Sequence, residues 1–196
     1  MGGKRRALDA AERVEVANRA QWRAWLAGNH RRTSGIWLVV FKKHHPHYLP
    51  WADIVQEALC FGWIDSTNRR LDDDRTMLYL SPRKPGSPWS KINKRHIAEL
   101  ESSGLMQPAG RAKIDAAKRD GSWVLLDDVE AMIMPRDLEA SFAEQPDARR
   151  NYDRFPDGAK RGLLWWIKSA RTEATRQNRV AKTVAQAASG KIANRT

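Results

Sequence analysis

Residues 62–93 read GWIDSTNRRLDDDRTMLYLSPRKPGSPWSKIN, and this stretch decides the fold class. Ile64–Leu71 and Thr76–Leu80 have strand composition and flank Asp72-Asp73-Asp74, a polar turn, so the segment predicts a hairpin. In the second strand Leu78 and Leu80 fall on one side, while Met77 and Tyr79 fall on the other. Pro82, Pro85 and Pro88 then exclude regular structure between Ser81 and Ser90. Ser90 stands where an N-cap belongs, ahead of a basic helix from Lys91 to Ser102 that Gly104 stops.

Working outward, GIWLVVFKK at 35–43 is short, β-branched and aromatic, which predicts a strand buried on both faces. Pro50 opens a helix with Asp53 in its first turn and Ile54, Val55, Ala58 and Leu59 on one face. Asp9 and Glu12 have the spacing of a capping box, so a first helix is expected to run to about Ala27 and stop at Gly28. Downstream, Pro108–Asp120 reads as a helix closed by Gly121, and short helices follow between Pro135, Pro146 and Pro156. A last helical pair covers about Asp157–Ala170 and Thr172–Ser189. The expected class is α+β: a small antiparallel, three-stranded sheet flanked by helices over residues 1–121. A helical C-terminal module follows over 122–190, with a frayed tail over 191–196.

A hydrophobic share of 41% in 196 residues supports a real core. The single cysteine, Cys60, excludes an intramolecular disulfide framework and points to a reducing cytoplasm. There is no apolar run long enough for a transmembrane segment, and no apolar signal core follows the basic MGGKRRALDA start. The net charge of +12 is uneven. Residues 1–50 carry ten Lys/Arg against three Asp/Glu, residues 158–196 carry nine against one, and residues 122–157 carry four against nine. The two basic ends attract anions: nucleic acid, anionic lipid or an acidic protein. Direct capture of cationic peptides has the wrong sign.

No catalytic fingerprint is present. G-x-S-x-G, G-x-G-x-x-G and the phosphate-loop pattern are absent, and Cys60 lies in an apolar helical stretch. His44, His45 and His47 crowd one Pro-containing loop and cannot easily converge on one ion, so no metal or other cofactor is expected. Asp72–Asp74 lack the alternate spacing of a Ca²⁺ loop. The strongest binding candidate is the loop holding Arg83, Lys84, Ser87, Trp89, Ser90 and Lys91, with Asn93 beyond it. It combines cations, hydroxyls, an aromatic plate and a helix start whose N–H groups face an anion. Against this stands a packing role, in which Trp89 plugs the core and Ser90 caps the helix. Asp65 follows an apolar pair and reads as a structural partner of Arg69 or Arg83, or as a general base. Arg176, Arg179 and Lys182 recur every three residues on one helix face, suited either to phosphates or to solvent.

The same stretch resembles the YdeI/OmpD-associated (OmdA) family, also described as bacteriocin protection. The resemblance lies in Gly62-Trp63-Ile64-Asp65, Ser81-Pro82-Arg83-Lys84, Ser87-Pro88-Trp89-Ser90 with Asn93, and Gly104-Leu105-Met106 followed by Gly110. Trp166-Ile167, Ala170-Arg171 and Glu173-Ala174-Thr175-Arg176 continue it, with Ala174 interrupting a usually contiguous Glu-Thr-Arg. It spans roughly Trp22 to Gly190. It implies antimicrobial-peptide or envelope-stress resistance and association with an envelope protein, without an established reaction. The expectation is therefore a non-enzymatic cytosolic protein whose Arg83 loop binds an anionic partner. A nucleic-acid-binding protein using the basic ends is the alternative, and an enzyme built around Asp65 and Arg83 is the third. On the binding reading, replacing Arg83 and Lys84 by Ala weakens the partner without unfolding the domain.

Overall fold

Four strands, β1 (Arg13–Glu15), β2 (Ile36–Phe41), β3 (Trp63–Arg70) and β4 (Arg75–Pro82), make one sheet in the order β1-β2-β4-β3. The structure, a computed structural model, describes residues 8–193 and divides the chain into two units between Val124 and Leu125. The basic residues at 1–7 and the last three of the tail lie outside the described residues.

The α+β class holds, but the sheet is four-stranded and mixed, because β1 runs parallel to β2 with Val14 opposite Leu38. The expected first helix is thus corrected. Val14 and Val16 are two residues apart, a strand period, and Val16 is buried. The carboxylates read as a capping box have other partners: Asp9 accepts from Arg69 at 2.6 Å and Glu12 from Arg32 at 2.6 Å. Asn18 caps the real helix α1 (Arg19–Asn29), its Oδ1 accepting from the Gln21 N–H at 2.9 Å. Gly28 lies inside α1 and does not end it.

The β3–β4 hairpin forms around Asp72, whose Oδ1 accepts from the Asp74 and Arg75 amides at 3.0 and 2.7 Å. The Arg75 guanidinium, first of all, holds the Asp72 carboxyl below the usual carboxylate range. Both faces of β2 are buried. Ile36, Leu38 and Val40 join Leu78, Leu80 and Trp63 in the main core, beneath α1 and α2 (Trp51–Cys60). Trp37, Val39 and Met77 form a smaller cluster on the opposite face, with Tyr79 and Leu8 against it. Helices α3 (Lys91–Ser102) and α4 (Pro108–Asp120) complete this unit. At Gly110 a Cβ would stand 2.4 Å from the Cys60 carbonyl oxygen and 2.6 Å from that of Leu59, so only glycine lets α4 meet the end of α2.

The second unit is helical: α5 (Asp127–Glu130), α6 (Arg136–Ala143), α7 (Pro146–Asp153), α8 (Asp157–Lys168) and α9 (Glu173–Ala188). Leu138, Phe142, Tyr152, Leu163, Ile167 and Val184 fill its core. Thr172 caps α9, accepting from the Thr175 amide at 3.2 Å. The tail expected to fray is packed as far as it is described, since Ala193 is buried in this second core.

Candidate functional site

The residues of the 81–93 loop part into an inward and an outward group. Arg83 extends the hairpin ladder, its N–H donating to the Gly62 carbonyl at 2.9 Å. Its side chain is only 4% exposed and lies over Trp89, 3.5 Å from the ring centroid, with Nη1 donating to the Pro88 carbonyl at 3.0 Å. Arg83 Nε has no partner among the described residues. Burial pushes the Arg83 guanidinium down to about 10, and the charge of Asp65 opposes that shift. Trp89 is 2% exposed and packs beside Trp123.

Ser90 Oγ accepts from the Asn93 amide at 3.2 Å, so the first turn of α3 supplies that N–H to its own cap. Ser87 Oγ donates to the Lys84 carbonyl at 2.7 Å, and the Gly86 amide donates to Asp120 Oδ2 at 3.1 Å. Hydrogen bonds from Ser122 and Gly86 hold the Asp120 carboxyl below its usual range. Lys91 opens α3 at the surface, and Asn93 is half-buried. Lys84 points outward, and its ammonium has no ion pair or hydrogen bond among the described residues.

Lys84 lies on the wall of a groove of about 1000 Å³ in the first unit. Six hydroxyl-bearing residues line it: Thr33, Ser34, Ser66, Thr67, Tyr79 and Ser81. Arg32 lines it too, paired with Glu12. Asp65 and Arg83 are not among its lining residues. Asp65 accepts from Trp51 Nε1 at 3.1 Å and forms no ion pair with either arginine proposed for it. Arg69 instead pairs with Asp9 and lies 4.8 Å from the Trp37 ring centroid. Of the loop histidines, His44 meets Asp74 at 3.1 Å, while His45 stacks on Phe41 and accepts from the His47 amide at 3.1 Å.

The stripe on α9 has partners inside its own unit. Arg176 donates from Nε and Nη2 to the two Asp137 oxygens at 2.6 and 2.9 Å, and this guanidinium holds the Asp137 carboxyl below its usual range. Arg179 donates to the Trp166 carbonyl, and its guanidinium lies 5.1 Å from the Trp166 ring centroid. Lys182 is 5.6 Å from the same ring.

Two features escaped the sequence reading. Glu57 is 2% exposed on the apolar side of α2, where it takes Arg19 and Arg23 at 2.6 Å each. Its signal was an acid among Ile54, Ala58 and Leu59, with two arginines four residues apart on the preceding helix. The groove was the other. Its signal was the hydroxyl side of the strand alternation, Tyr79 and Ser81 opposite Leu78 and Leu80.

No helix among the described residues is long and apolar enough to cross a membrane. No curated protein and no solved structure matches this chain. Two family models do match. Residues 131–190, in the helical unit, match the family described as "Bacteriocin-protection, YdeI or OmpD-Associated", which supports an OmdA-family relationship. Residues 14–113 match a second model, from β1 to within α4. Since that second match covers just over half of the chain, this protein belongs to the family described as "Domain of unknown function (DUF8412)".

Proposed function

We propose that this chain is a non-catalytic, cytoplasmic binding protein of the YdeI/OmdA type, which takes an anionic partner on its first unit and acts in stress protection. The match over residues 131–190 supports the type. The observation that carries the binding reading is Lys84, an exposed and unpartnered ammonium on the wall of the groove. Arg32, which lines the same groove, is balanced by Glu12, so the lining keeps an excess of positive charge for an anion to meet. Cys60, buried and unpaired, supports a reducing compartment.

The test is retention of partners from a cell extract at low salt by the whole protein, with elution along a salt gradient. Loss of one defined acidic protein or small anion in Lys84→Ala supports the reading. An unchanged eluate from Lys84→Ala overturns it. Nucleic acid released smoothly, with a steep salt dependence and equally from both proteins, would place the charge at the basic ends instead.

A further inference from the structure

We infer that the groove of the first unit takes a phosphorylated sugar; this rests on the anionic-partner reading and names the chemistry of the ligand. A site for inorganic phosphate alone needs cations and amides gathered at one point. Here one unpartnered cation, Lys84, is accompanied by six hydroxyl-bearing residues in the lining of an open groove of about 1000 Å³. None of these six residues makes a hydrogen bond through its hydroxyl among the described residues, which leaves hydrogen-bonding capacity over for a ligand, least at Tyr79, where the Gly35 backbone crowds one side of the hydroxyl. A ligand that is itself rich in hydroxyls, with one anionic end, answers that pattern.

The backbone builds this arrangement in two places. The β3–β4 register shifts between Asp65 and Thr67, which makes Ser66 the extra residue of a bulge. Neighbours in a regular strand face opposite sides, but the bulge allows Ser66 and Thr67 to line the same groove. At Gly35 a Cβ would stand 2.5 Å from the Tyr79 hydroxyl oxygen and 2.6 Å from the Leu80 carbonyl oxygen. Glycine there lets the chain before β2 close over the Tyr79 hydroxyl, bringing Thr33 and Ser34 to the same groove. Leu8, Ala10, Ala11 and Pro82 add apolar wall of the kind that covers the C–H face of a sugar ring. The volume is at the upper end of small-ligand sites, roughly 300–1000 Å³, so it accommodates more than a single ring.

The experiment is calorimetric titration of the whole protein with glucose 6-phosphate, glucose and inorganic phosphate. Glucose 6-phosphate is expected to bind more tightly than either fragment. Lys84→Gln should weaken glucose 6-phosphate by about tenfold or more, as for one charge-assisted hydrogen bond, and leave glucose unchanged. Ser66→Ala combined with Thr67→Val should weaken glucose 6-phosphate and glucose alike and leave inorganic phosphate unchanged. Circular dichroism of each variant confirms that it is folded. If inorganic phosphate binds as tightly as glucose 6-phosphate, the sugar inference is overturned while the anionic reading stands. Failure of all three probes also overturns it, and the anionic reading is then judged separately by retention in extract.

Discussion

Two basic clusters, the stripe on α9 and the Arg83–Lys84 pair, treat their cations in opposite ways. On α9 of the helical unit, Arg176 has a bidentate carboxylate, and Arg179 and Lys182 both lie against Trp166. In the first unit Arg83 is turned into the core over Trp89, but Lys84, its neighbour in sequence, is left on an open groove without a counter-charge. A stripe of basic residues therefore says little by itself. What marks a binding surface is charge and hydrogen-bonding capacity that the fold leaves over.

The comparison breaks most readily at Trp89. If that indole is core, Trp89→Ala should cost about 3–5 kcal/mol in urea denaturation, the range for emptying a buried tryptophan site. A loss under about 0.5 kcal/mol would make it a surface plate instead. Arg83→Ala belongs with Trp89→Ala: it removes the stacked guanidinium and strips the Pro88 carbonyl of its donor. Because Arg83 is buried, the double replacement of Arg83 and Lys84 by Ala should lose stability through Arg83, against the expectation that it leaves folding intact. Gly110→Ala comes next. A methyl group there meets two backbone carbonyls that cannot rotate away, and about 1–3 kcal/mol should be lost with secondary structure retained.

A smaller effect tests the helical unit. Asp137→Asn removes the carboxylate that neutralises Arg176. Both side chains reach solvent, so the loss should be modest, about 1 kcal/mol near neutral pH. Its pH dependence has a definite sign. The Asp137 pKa is lowered in the folded protein, chiefly by Arg176. Its stabilisation is therefore complete above the unfolded carboxylate value, about 3.9, and disappears as pH falls through the lowered folded value. Wild type and Asp137→Asn should differ in stability at pH 7 and converge in strong acid. A difference that persists unchanged into strong acid would mean that the pair contributes nothing through its charge.

Sequence periodicity made the hairpin and most helices legible because their signals are local. Leu78 and Leu80 fall opposite Met77 and Tyr79 as strand alternation requires, and Ser90 caps α3 where the sequence placed it. The first strand was hidden because Asp9 and Glu12 imitate a capping box, while their real partners, Arg69 and Arg32, are 60 and 20 residues away. Three residues of β1 carry too little pattern to outweigh that signal. The site was half legible for the same reason. Residue types in the 81–93 loop identified a cationic and aromatic cluster, but which side chains turn inward depends on the depth of the core beneath. The groove depends on a bulge at Ser66 and a close approach at Gly35, and neither has a periodic signature.

The smallest stability effect belongs to Lys84, and it cuts deepest into the comparison. An exposed side chain without a partner supports nothing in the fold, so Lys84→Ala should leave stability within about 0.5 kcal/mol. Lys182→Ala should be nearly as mild, because it removes one exposed cation from the Trp166 ring. The two variants change net charge equally and differ only in what surrounds the ammonium. If retention of the anionic partner falls in Lys84→Ala and holds in Lys182→Ala, it is the leftover charge on the groove that binds. If the two fall together, net charge alone governs the association, and the contrast between the two clusters has no functional content.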